Sequence, residues 1–167
     1  MFYLVTIGIM ILGIVLDQYT KYLATTHLEN NAAIVVIKDV FEFTYVENRG
    51  AAFGMFQNQQ LFFIIVALIA LVFIAFLYIR MPMEKRFLPF RICLLSIATG
   101  AIGNLIDRVR LNYVIDFFYF KLIDFPVFNV ADIFASVATC TLIPLFLFYY
   151  KDQDFDAIFQ CFKGKKK

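Results

Sequence analysis

Leu61-Phe62-Phe63-Ile64-Ile65-Val66-Ala67-Leu68-Ile69-Ala70-Leu71-Val72-Phe73-Ile74-Ala75-Phe76-Leu77-Tyr78-Ile79 runs for nineteen residues without a charge, and only Tyr78 carries a polar group. At ~1.5 Å per helical residue such a run is about as long as bilayer hydrocarbon is thick, so it reads as a membrane-spanning helix. The whole chain agrees with that reading. Of its 167 residues 62% are hydrophobic and only 17% charged, and the mean hydropathy is +0.79. A soluble domain carries roughly 25% charged residues, and one core of this size would leave the apolar surplus facing water. A soluble single domain is excluded, and so is disorder, which needs the opposite composition. The net charge of +2 gives no argument for nucleic acid. Cys93, Cys140 and Cys161 form no CxxC or Cys/His pattern, and His27 is the single histidine. No metal centre and no cofactor are expected from such a set. Cys93 and Cys140 read as small apolar fillers, and His27 as a helix-end or loop residue.

Working outward, Phe87–Ile106 is a second span, interrupted by Arg91, whose long side chain is expected to snorkel to the interface. Ile133–Tyr150 is uncharged and should be kinked at Pro144. Met1–Leu16 is slightly short unless the helix continues through Asp17-Gln18-Tyr19-Thr20-Lys21 to about Ala24. It has no basic residue ahead of the apolar run, and Leu23-Ala24-Thr25-Thr26 is a poor cleavage site, so it reads as a retained helix rather than a signal peptide. The expected spans are therefore about 1–24, 60–80, 87–107 and 131–150, within a single membrane-embedded domain over 1–167. Four spans put both termini on one side. Nine of the fifteen basic residues lie in the 80–91 connection and in the tail 151–167. Positive charge stays in the cytoplasm, so both termini and that connection are expected there, with segments 25–60 and 107–131 outside.

Ala32–Ile37 and Val40–Val46 are rich in β-branched and aromatic residues and are separated by Lys38-Asp39, a hairpin pattern. Phe41, Phe43 and Tyr45 alternate with Glu42, Thr44 and Val46, which suggests one apolar side. The fold class expected is an α-helical membrane protein with four transmembrane helices and a small extracytoplasmic β-cradle over about 30–57.

Every span brings its polar residues to the same leaflet. Asp17 and Lys21 end the first, Asn104, Asp107 and Arg108 end the third, Asn129 and Asp132 open the fourth, and Asn48 and Asp116 lie in the outer segments. Ionisable groups inside a membrane are costly and mark a site by default. Individual members also have structural readings. Asp17 and Lys21, at i and i+4, form an ion pair in the favourable order and read as scaffold. Asn104, Asp107 and Arg108 read as a brace. Gly100 and Gly103 read as a packing surface that brings the third span against its neighbours and so fixes where Asn104 points. Asn129 is a good N-cap, Asp132 falls in the first turn after it, and the helix dipole there favours a carboxylate. Asp116 sits in an apolar run without a helical partner, and desolvation there should raise its pKa. Two carboxyls in contrasting environments suit acid–base chemistry. A cap residue and a solvated loop acid fit the same spacing, which does not separate the two readings.

Five blocks in order carry a resemblance: Asp17 through Lys21, Asn48-Arg49-Gly50-Ala51-Ala52-Phe53-Gly54, Gly100 through Arg108, Val114-Ile115-Asp116-Phe117 and Phe128-Asn129-Val130-Ala131-Asp132. From about residue 13 to 137 the chain resembles the lipoprotein signal peptidases, also called signal peptidase II. Phe53 stands where many members carry Trp, and Ile115 where Val is common. The resemblance implies a bacterial aspartic endopeptidase of the cell membrane, with Asp116 and Asp132 as catalytic dyad. It implies that Asn48, Asn104, Arg108 and Asn129 shape the site and hold substrate, and that Asp17, Lys21 and Asp107 support the fold. The substrate implied is a prolipoprotein carrying diacylglycerol on its cysteine, cleaved just before that cysteine, with membrane lipid as the other partner. Inhibition by the cyclic peptide globomycin is also implied. From another class, a small ion- or proton-coupled transporter would use the clustered acids as an ion site, although the acids gather at one leaflet rather than at the midplane. A non-catalytic scaffold would carry this polarity at needless expense.

Overall fold

The computed structural model describes residues 2–50 and 56–160. Helix α1 (Phe2–Leu28) is followed by strands β1 (Ile34–Ile37) and β2 (Phe41–Asn48), and helices α2 (Gln60–Arg80) and α3 (Leu88–Leu111). Strand β3 (Val114–Tyr119), helix α4 (Val130–Pro144) and helix α5 (Asp152–Gln160) complete the order. Ala51, Ala52, Phe53 and Gly54 of the second block, Cys161 and the basic residues from Lys163 onward lie outside the described residues.

Four stretches are long and apolar enough to cross a membrane: Val5–Leu28, Gln60–Arg80, Lys85–Leu111 and Val130–Tyr149. The chain is thus a multi-pass helical membrane protein carrying a small antiparallel sheet, the fold class expected from sequence. Helix α3 is its axis. Of its apolar stretch 44% is buried in protein, against 17% for each of the other three, which leave large side chains such as Leu12 and Val72 facing outward. Lipid is the only solvent that suits those faces. Asn112, at φ 63, terminates α3 in the left-handed conformation and donates its N–H to the Arg108 carbonyl. Asn129 opens α4 with a reciprocal capping box: its side chain accepts from the Asp132 N–H, and the Asp132 side chain accepts from the Asn129 N–H. After Pro144 the α-helix gives way to a π turn over Leu145–Tyr149.

The sheet has the order β1-β2-β3. The hairpin joining β1 and β2 closes through Lys38, Asp39 and Val40, with Asp39 at φ 59. Between Phe43 and Val46 the β2–β3 register shifts, so the alternation read along β2 is broken there. Beyond the shift Val46 faces Asp116 and Asn48 faces Val114. Side chains alternate along a strand, so Asn48 and Asp116 are diagonal neighbours on one face. Ile115 and Phe117, on the other face, are buried with Ala24 and Leu28 at the end of α1.

The structure corrects several expectations. Asp116 lies in a strand, not a loop: Val114–Tyr119 has strand composition, but an acid at its centre disguised it. Arg91 does not snorkel. It is 1% exposed, donates to the Met81 carbonyl at 3.1 Å and stacks over the Tyr78 ring, because the chain after α2 folds back over it. Cys93 is packed as expected, but Cys140 is exposed on α4. Residues 152–160 form α5, which docks through Ile158 and pairs Asp154 with Arg86 at 2.7 Å.

Candidate active site

The polar residues at the sheet end of the bundle form one connected network, beginning with a buried ion cluster. Lys21 Nζ lies 2.9 Å from Asp17 Oδ2 and 2.9 Å from Asp107 Oδ2, and donates to Asn104 Oδ1 at 2.9 Å. An ammonium has three N–H donors, and here each has an acceptor. The two motifs that read separately in sequence, the Asp17/Lys21 pair and the Asn104/Asp107/Arg108 brace, are therefore one assembly joining α1 to α3. Asp17 extends it to α4, because its Oδ1 accepts from the Ala131 N–H at 2.8 Å, one of the orphan donors of that helix start. Asp107 extends it to β3 by accepting from the Ile115 N–H at 3.3 Å.

Gln18, a residue with no motif role of its own in the sequence, donates from Nε2 to Asp107 Oδ1 at 3.0 Å, and lies 3.2 Å from both Asp17 Oδ2 and the Gly103 carbonyl. Its adjacency to Asp17 was the only available signal. Gly100 and Gly103 face this junction. A Cβ at Gly100 would collide with the Ala131 carbonyl, and one at Gly103 would lie 2.5 Å from Asp17 Oδ2.

Above the cluster stand two carboxylates. Asp116, 2% exposed, accepts from Asn48 Nδ2 at 2.8 Å and from Asn129 Nδ2 at 2.6 Å, one donor on each oxygen. Asp132, half-buried, accepts from Asn104 Nδ2 at 2.8 Å on Oδ1 and from the Asn129 N–H at 3.1 Å on Oδ2. Asn129 bridges the two acids, touching Asp116 with its side chain and Asp132 with its backbone. Burial, reinforced by the neighbouring Asp132 charge, pushes the Asp116 carboxyl up to about 7, while the Asn48 and Asn129 amides pull the other way.

That shift has a consequence for stability. In the unfolded chain this carboxyl ionises near 3.8, whereas the folded protein holds its proton to about 7. Across that window the native state binds more protons, so stability should fall as pH rises from about 4 to about 7, by on the order of a few kcal/mol, and level off above. Thermal unfolding in detergent across this range is expected to show that slope in the wild type and a clearly shallower one in Asp116→Asn. An equal slope in both would contradict the assignment.

Both acids open onto a cleft of about 690 Å³, whose lining includes Asn48, Asn104, Arg108, Phe128 and Ser136. This is within the roughly 300–1,000 Å³ of small-ligand sites. Arg108, half-buried on α3, lies over the Phe63 ring at 4.9 Å, and its Nε has no partner among the described residues. Its guanidinium keeps donor capacity for something entering the cleft. Phe63 and Ser136 are lining or supporting residues that sequence did not distinguish from other residues of apolar spans. Among the described residues no group of His, Cys, Asp and Glu is arranged to hold a metal ion.

A membrane-spanning bundle that gathers two acids, Asn48, Asn104 and Arg108 at one open cleft carries a functional site rather than plain spans. A family model described as signal peptidase (SPase) II matches residues 9–148, and the chain belongs to that family. Its relatives include the lipoprotein signal peptidase of Clostridium tetani (strain Massachusetts / E88), 44% identical over 89% of this chain and 94% of that one. The lipoprotein signal peptidase of Clostridioides difficile (strain 630) is 48% identical over 84% and 93% of the two chains. Among solved structures, a bacterial membrane enzyme determined in meso at 2.3 Å superimposes with a TM-score of 0.76 at 30% identity, covering 86% of this chain and 87% of that one. The protein is a membrane aspartic peptidase, and these relationships favour neither the transporter nor the scaffold.

Proposed function

We propose that this peptidase removes signal peptides from prolipoproteins whose cysteine already carries diacylglycerol, cutting just before that cysteine, with Asp116 and Asp132 as the catalytic pair. One observation carries the assignment of residues: two carboxylates, bridged by Asn129, share the mouth of one cleft in contrasting surroundings. Asp132, at the start of α4, is placed to act as the base that takes a proton from water. Asp116, which holds its proton to about 7, is placed to polarise the scissile carbonyl and then protonate the leaving amine. Asn48, Asn104 and Asn129 orient the two acids, and Arg108 offers its guanidinium to the substrate. Membrane lipid surrounds the apolar helix faces, and a globomycin-type cyclic peptide would compete for the same cleft. Purified protein in detergent is expected to cleave a lipid-modified prolipoprotein equally well with and without a chelator. Loss of cleavage on chelation would replace the two-carboxylate reaction with a metal-assisted one.

The basic residues around 80–91 and in the tail support a topology with both termini in the cytoplasm and the sheet and cleft on the outer side of the bacterial cell membrane. A cysteine introduced at exposed Asn58, in the connection between β2 and α2, is expected to react with an impermeant label in intact cells. Labelling only after permeabilisation would invert the topology.

A further inference from the structure

We propose that Lys21 is a positioning residue for hydrolysis: by occupying the Asn104 carbonyl oxygen it turns the Asn104 amide nitrogen onto Asp132. The proposal rests on reading Asp132 as one of the catalytic pair.

The orientation of an asparagine side chain is set by its neighbours, since its oxygen only accepts and its nitrogen only donates. Lys21 is 2% exposed and its ammonium cannot accept. With Lys21 Nζ at 2.9 Å, the nearer end of the Asn104 amide must be Oδ1, and Nδ2 is left to donate to Asp132 Oδ1 at 2.8 Å. A flipped amide would set its NH₂ against the ammonium and its oxygen against the Asp132 carboxylate. Asn129 Nδ2 also reaches Asn104 Oδ1, at 3.1 Å, but the same nitrogen serves Asp116 Oδ1 at 2.6 Å and lies 3.3 Å from the Ile115 carbonyl. Lys21 supplies the shorter and charge-assisted contact, which is the stronger constraint. The ion pairs with Asp17 and Asp107 hold Nζ in place, so the scaffold and the chemistry meet at this one nitrogen.

Removing Lys21 alone leaves Asp17 and Asp107 buried without their cation, which destabilises the fold whatever its effect on catalysis. The informative variant is therefore Lys21→Met/Asp107→Asn, which leaves the formal charge of the cluster unchanged, compared with Asp107→Asn. With the full chain in detergent and a lipid-modified prolipoprotein, the added loss of Lys21 is expected to lower kcat by about tenfold to a hundredfold, the scale of small misplacements of catalytic groups, with KM little changed. In an Asn104→Ala background the same change should cost no more than about twofold, because Lys21 acts through Asn104. Asn104→Asp keeps the contact to Lys21 and, ionised beside that ammonium, has no donor for Asp132, so at a pH where it is ionised it should lose kcat as Asn104→Ala does, even if the Lys21 variant does not fold. Multiplying losses in the Asn104→Ala background, a loss in KM alone, or normal turnover by Asn104→Asp would each overturn the proposal. Normal turnover by Asp132→Asn would instead overturn the catalytic pair itself, so the two failures are distinguishable.

Discussion

Asp116→Asn and Asp132→Asn, each purified as a folded chain, are expected to lose cleavage of a lipid-modified prolipoprotein by about three to four orders of magnitude or more. General acid–base catalysis by one positioned side chain is worth about 10²–10⁴-fold, and members of a concerted pair fail together rather than additively. An amide can neither take the proton of water nor return one to the departing amine. The fold has little reason to change. An asparagine at 132 can still offer an oxygen to the Asn129 N–H, and the other half of the capping box uses only the backbone of 132, while one at 116 still accepts one of its two amide donors. Turnover of lipid-modified substrate per folded molecule is the readout, and near-normal turnover by either variant would end the two-carboxylate mechanism.

Asp17→Asn should act in the opposite way, on the fold before the chemistry. Asp17 is fully buried, pairs with Lys21 and holds the start of α4 through the Ala131 N–H. The substituted amide can serve only one side through its oxygen: its nitrogen then points either at the Lys21 ammonium and the Gln18 amide or at the Ala131 N–H, none of which it can accept from. Breaking a buried pair in this manner typically costs about 3–5 kcal/mol, and a large drop in thermal stability in detergent is expected. The folded fraction should still turn over substrate. Unchanged melting with no activity would move Asp17 from the scaffold into the reaction.

The four spans were legible because membrane helices announce themselves by length and by the absence of charge, and the Asn129–Asp132 cap because its spacing is local. Strand β3 was not. Its partner β2 lies more than sixty residues away, and the register shift that sets Val46 opposite Asp116 and brings Asn48 beside that acid has no sequence signature. For the same reason the sequence offered Asp17/Lys21 and Asn104/Asp107/Arg108 as two separate i, i+4 clusters. The contacts that fuse them, Lys21 to Asp107 and Asn104, cross between α1 and α3, which approach closely where Gly103 leaves room for the Asp17 carboxylate. Arg91 shows the same limit at the other end of the bundle. A basic residue in a span has two outlets, the interface or a buried partner, and only the fold of the 81–87 connection decides between them. Helix α5 is masked in the sequence by the lysines beyond it, which dominate the local charge pattern, although Phe155 and Ile158 at i, i+3 mark an apolar face.

The most direct measurement is mass spectrometry of the products after purified full-length protein meets a diacylglyceryl-modified prolipoprotein in detergent, alongside the same precursor without lipid. A signal peptide ending at the residue before the cysteine, and a mature chain beginning with the lipid-bearing cysteine, are expected from the modified precursor only. An intact modified precursor, a cut at another bond, or equal cleavage of the unmodified precursor would contradict the proposed function.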